Sequence, residues 1–132
     1  MPTVDLIDET YLVVDRAVLA AQVHDPARWR AWWPDLTLSV FMDRGHDGIR
    51  WSVTGSLVGS AEIWLEPFGD GVLLHLYLRL DPAGRGLPAR ASDRLRRRFA
   101  LAWKVHVNAL KDELEGGRAA AQPRGPAAGG QG

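Results

Sequence analysis

The chain has no cysteine in its 132 residues, which excludes a disulfide frame and any thiolate-ligated metal. Neither sign of charge is in excess: 16 Lys plus Arg face 16 Asp plus Glu. Nucleic-acid binders leave a basic footprint, so no nucleic-acid partner is expected. Long apolar runs are also missing. None approaches the roughly 20 residues that span a bilayer, so stable membrane insertion is not expected. The opening MPTVDLIDET is acidic where a secretory leader is basic and then apolar, and a cytoplasmic protein is the expectation. No GxGxxG, Walker loop, HExxH or GxSxG occurs, which removes the commonest nucleotide, zinc-protease and serine-hydrolase signatures. His24, His46, His75 and His106 fall on four different predicted elements with no ligand spacing. Neither a metal nor a cofactor is expected.

What the chain has in quantity is tryptophan. Three of its six indoles crowd into RWRAWWPDL at 28–36. Trp29, Trp32 and Trp33 are spaced i, i+3 and i+4, so a helix places them on one side. Such a cluster is a strong packing wedge, because each aromatic side chain buries about 150–250 Å².

The length suits one domain, large enough to bury roughly two-thirds of its unfolded surface. Residues 3–14, TVDLIDETYLVV, read as a strand. Asp15 offers an N-cap to a short helix over about 16–23. Asp25 caps a second, with Pro26 at its first position; Pro34 stops that helix near Trp33. LTLSVFMDR and GIRWSVTG flank Gly45-His46-Asp47-Gly48, a hairpin signal. A two-residue turn at His46-Asp47 pairs Asp43 with Arg50, Met42 with Trp51 and Val40 with Val53. Leu38, Val40, Met42, Ile49, Trp51 and Val53 then share one face. GSAEIWLEP and GVLLHLYLRLD form a second hairpin. Ile63, Leu65, Leu74 and Leu76 lie on one side of it, with Glu62, Trp64, His75 and Tyr77 on the other. From about Leu87 to Glu115 the pattern is helical, with Leu95, Phe99, Ala102, Trp103, His106, Val107, Leu110 and Leu114 on one stripe. Gly116-Gly117 are expected to end it. The domain is thus expected over residues 1–115, with a disordered Gly/Ala/Pro tail over 116–132. The whole reads as an α+β fold: a curved antiparallel sheet of about five strands on a long C-terminal helix, with two short helices after the first strand.

ARWRAWWPDL at 27–36, GIRWSVTG at 48–55, GSAEIWLEP at 59–67 and the final helix ending LKDELEGGR at 110–118 resemble the START-like (SRPBCC) superfamily. The likeness is greatest to actinobacterial polyketide cyclase/dehydrase and lipid-transport proteins. It covers about residues 10–118 and implies the helix-grip fold, with a cavity between sheet and helix. The full family sheet has six or seven strands, so a hairpin is missing here. The resemblance implies binding of a small hydrophobic molecule: a lipid, a fatty acyl chain or a polyketide-like compound. It also admits a cyclase or dehydratase using a cavity histidine, or a ligand-free protein-interaction module.

His106 is the candidate catalytic or anchoring residue, because it sits mid-stripe on the helix that should line the cavity. The competing reading is a core histidine bonded to a backbone carbonyl. The expected ligand-binding residues are Trp29, Trp33, Val40, Met42, Trp51, Val53, Phe99, Trp103, His106 and Leu110. Pockets of this type are apolar with a few placed polar groups. The arginine run RLRRR at 94–98 reads as a solvated helix face; contact with anionic lipid headgroups or RNA is the other reading, and salt would weaken it. Oligomeric state is not legible.

Overall fold

A computed structural model describes residues 2–121. The elements are β1 (Val4–Leu12), α1 (Arg16–Val23), α2 (Pro26–Trp32), β2 (Thr37–Asp43), β3 (Gly48–Thr54), β4 (Leu57–Phe68), β5 (Gly71–Pro82) and α3 (Ala89–Ala121). The five strands form one antiparallel sheet in the order β1-β5-β4-β3-β2. This is the expected α+β layout: a curved sheet, a long C-terminal helix, and two short helices between the first two strands.

Alternation decides which face of the sheet is the core. On β5, Leu74, Leu76, Leu78 and Leu80 are all 0 % exposed. Their cross-strand partners Leu65, Ile63 and Ala61 on β4 are buried with them. Burying each such leucine contributes roughly 1.5–3 kcal/mol, and the opposing layer is the stripe Phe99, Trp103, Val107 and Leu110 of α3. A polar clamp holds the helix to β1. Asp8 accepts from Trp103 Nε1 at 3.0 Å and faces Lys104 Nζ at 2.6 Å. Lys111 Nζ donates to the Tyr11 carbonyl at 2.6 Å.

Both proposed caps stand where the sequence put them, with one difference. Asp25 accepts from the Ala27 amide at 2.9 Å with Pro26 following, whereas Asp15 occupies its cap position without a side-chain bond. The second hairpin turns at Gly69-Asp70 and has the expected facing. Gly59 in β4 has φ +151, and a Cβ there would stand 1.9 Å from the Arg79 carbonyl oxygen, so the close strand contact admits only glycine.

Two expectations are corrected. In the first hairpin a 3₁₀ turn at Gly45–Asp47 replaces the two-residue turn, and a bulge interrupts β2 between Val40 and Met42. Val40 therefore faces Trp51, Met42 faces Arg50 and Asp43 faces Ile49. Arg50 turns to Glu62 at 3.5 Å, and Asp43 meets His24 Nε2 at 2.9 Å. The extra residue of a bulge flips the facing beyond it. Second, α3 runs through Gly116-Gly117 to Ala121; two glycines cost about 1 kcal/mol each relative to alanine, which does not by itself terminate a helix. The rest of the expected disordered tail, residues 122–132, lies outside the described residues.

Candidate functional site

The site is built where α2 meets α3. Pro26 and the Asp25 cap start α2, and its last turn delivers Trp32 and Trp33 between sheet and helix, where both are about 5 % exposed or less. Trp33 stacks on Trp103 (centroids 5.6 Å, 13° between planes) and meets Trp51 edge-on at 5.6 Å. Trp32 meets Trp103 edge-on at 5.5 Å. Trp29 closes the far side against Trp51 at 5.2 Å, and its indole N–H donates to the Val23 carbonyl at 2.7 Å. These offset and edge-on geometries suit the ring quadrupole. Five indoles thus occupy the throat of the grip.

Beside this cluster, at the mouth, lies a pocket of about 220 Å³. Trp32, Trp33, Pro34, Phe99 and Ala102 form apolar walls, and His106 is the polar group among them. Asp35 and Arg98 stand at the rim, 3.3 Å apart. His106 is half-buried, and among the described residues it makes no hydrogen bond. Its imidazole is therefore free to donate to, or accept from, a bound molecule. On α3 the wall residues Phe99, Ala102 and His106 follow the i, i+3, i+7 spacing that defines one helix flank, with Arg98 at its edge.

Of the expected ligand-binding residues, the structure brings three to this pocket: Trp33, Phe99 and His106. Trp51, Val53, Trp103 and Leu110 are buried, at 2 % exposure or less, as parts of the core behind it. Trp29 packs on Trp51 and does not line the pocket. Val40 and Met42 stand apart on the edge strand β2, 50 % and 45 % exposed, and Met42 is on the face away from α3. The residues that sequence reasoning missed are Ala31, Trp32, Pro34, Asp35, Arg98 and Ala102. The helical spacing from Phe99 carried the signal for Ala102; nothing local announced that Pro34 and Asp35 would fold back toward α3.

A second cluster lies on the outer face of the sheet. His75 is only 4 % exposed. It is stacked on Trp64 (4.4 Å, 18°) with Tyr77 parallel beyond it. Its Nε2 faces Glu66 at 2.9 Å and its Nδ1 faces Glu9 at 3.2 Å, so both nitrogens are engaged by protein groups. Glu62 is likewise occupied by Arg44 and Arg50. This cluster ties β1, β5 and β4 together.

Two carboxylates near the helices are held below their ordinary values. Asp43 is lowered first by the Gly45 backbone N–H and then by His24, and Glu113 by its bond to Arg28. The second contact, 2.7 Å from Arg28 Nη2 to Glu113 Oε2, ties α2 to α3. Among the described residues no group of three or more His, Cys, Asp or Glu is placed to hold a metal.

Fold and site together define a helix-grip domain with a small aromatic-walled mouth. The chain is similar in fold to the solution structure of the Aha1 dimer from Colwellia psychrerythraea, with a TM-score of 0.60 at 12 % identity, covering 85 % of this chain and 96 % of that one. The crystal structure of TTHA0849 from Thermus thermophilus aligns with a TM-score of 0.41 at 14 % identity, over 90 % of this chain and 99 % of that one. No family model and no curated protein sequence matches the chain.

Proposed function

We propose that the chain is a small-molecule-binding domain whose ligand, a compact apolar or aromatic molecule, sits at the mouth between α2 and α3. The observation that carries this is the pocket itself: apolar walls of Trp32, Trp33, Phe99 and Pro34 around one unpaired imidazole, His106. Ligand pockets of roughly 300–1,000 Å³ bury drug-sized molecules, and about 220 Å³ falls below that range. The ligand is therefore smaller than a full acyl chain: a ring or two, or a short branched chain. The START-like resemblance of the sequence supports the same reading, including its polyketide-like ligands.

Binding is favoured over catalysis because no carboxylate or other group among the described residues orients His106, as the base of a catalytic pair requires. An interaction module with a closed grip draws support from Val40, Phe41 and Met42, all at least 45 % exposed along the β2 edge. Cytoplasmic residence without a nucleic-acid partner completes the reading. No helix among the described residues is long and apolar enough to cross a membrane.

The test is a titration with 2-naphthol, followed by tryptophan fluorescence, on the wild-type chain and on Ala102→Trp. The half-buried Ala102 lines the pocket, so the indole fills it. Saturable quenching that Ala102→Trp weakens at least roughly tenfold, about 1.4 kcal/mol, is the expected result. Failure of the wild type to bind this or any co-purified apolar molecule refutes the reading and leaves the interaction module.

A further inference from the structure

We propose that the solvent face of α3 docks peripherally on an anionic lipid surface. The chain as a whole is neutral, yet its charge is not evenly placed. Between Ala89 and Lys111 seven basic side chains stand against the single acid Asp93. Four of the seven are engaged. Arg96 pairs with Asp93 and the Thr3 carbonyl, Arg98 with Asp35, Lys104 with Asp8, and Lys111 with Glu115. Arg90, Arg94 and Arg97 are exposed and make no ion pair or hydrogen bond among the described residues. Three uncompensated guanidiniums on one helix end are an electrostatic feature that folding does not use.

The next turns of the same face carry the second observation. Leu101 and Val105, 68 % and 67 % exposed, are the two most exposed large apolar side chains among the described residues. Arg94, Arg97, Leu101 and Val105 follow the i, i+3, i+7, i+11 spacing of one helical stripe, opposite the buried stripe of Phe99, Trp103 and Val107. Arginines beside exposed aliphatic side chains match a headgroup layer, which offers anions at its surface and hydrocarbon just beneath. A nucleic acid supplies the anions but leaves Leu101 and Val105 without a partner. The stripe lies next to the pocket flank, since Arg98 and Ala102 border the pocket, so docking brings the mouth of the grip to the headgroups. The docking itself does not require the pocket to hold anything.

Sedimentation of the full chain with vesicles tests this. Vesicles of phosphatidylcholine mixed with phosphatidylglycerol should carry the protein down at low salt, and phosphatidylcholine alone should not. Raising salt toward 1 M, where the Debye length falls to about 3 Å, should release it. Arg94→Gln with Arg97→Gln should weaken binding roughly tenfold or more, and the paired lysine replacements should retain it. Leu101→Ser with Val105→Ser should weaken it several-fold. All four side chains are exposed, so circular dichroism should show an unchanged fold. No binding to the anionic vesicles, or binding indifferent to the arginine pair, overturns the proposal. So does equally tight binding of poly(U) or poly-glutamate that ignores Leu101 and Val105, which would mark a general polyion site.

Discussion

Trp103 is the residue on which the grip closes. It stacks on Trp33, takes Trp32 edge-on and donates its N–H to Asp8 across the sheet. Removing it empties the centre of an indole cluster whose other members are fixed by backbone elements, so the site collapses poorly. Trp103→Ala should lower the unfolding free energy by about 3–5 kcal/mol in a denaturant titration; a loss below about 1 kcal/mol would mean the cluster repacks without it. Trp51 contrasts with Trp103, because its buried indole N–H has no hydrogen-bond partner among the described residues. At this scale the sequence was informative but incomplete. The spacing of Trp29, Trp32 and Trp33 placed them on one side of a helix. It did not say that Trp33 would reach Trp103, far along the chain, because that contact depends on how α2 crosses α3. His106 was legible as a polar residue on the inward flank, but its half-exposed position at the mouth was not.

Among the elements, α2 matters most to the site, and it is held partly by charge. Arg28 keeps the Glu113 carboxyl below its ordinary value of 4.5. A carboxylate depressed in the folded state contributes stability that is present above its unfolded value and is lost as pH falls. The α2–α3 contact should therefore loosen as pH drops through 4.5 and below. Because Glu113 is mostly exposed, the effect should be no more than about 1 kcal/mol. Unfolding titrations at neutral and acidic pH on wild type and Glu113→Gln check this: the variant should lose part of the acid-dependent change, and identical profiles would contradict it. The strands divide into legible and illegible cases. The facing of the β4–β5 hairpin was read correctly because a one-residue slip would part Ile63 and Leu65 from Leu74 and Leu76. The β2–β3 hairpin was read out of register at Val40, which pairs with Trp51 and not Val53, since β2 is an edge strand with little buried surface. Its 3₁₀ turn and bulge leave no trace in the hydrophobic pattern.

For the whole molecule, the order of elements was enough to predict the architecture, because an apolar sheet face and one amphipathic helix have few ways to cover each other. The size of the space between them was not predictable. That depends on side-chain volume, and five indoles fill most of what a short five-stranded grip encloses. The expected cavity between sheet and helix is thereby reduced to a mouth between α2 and α3, with the basic and apolar solvent face of α3 beside it. The basic run at 94–98 was legible in the sequence despite the neutral overall charge; its apolar continuation through the exposed Leu101 and Val105 was not. The central claim is that this mouth holds a compact apolar molecule against His106. Nuclear magnetic resonance of the isotope-labelled chain titrated with 2-naphthol tests it most directly. The account predicts saturable shifts confined to the Trp32 and Trp33 indoles, the His106 imidazole and the Phe99–Ala102 segment. Shifts that are absent, or that scatter over the outer sheet face and the β2 edge, would contradict it.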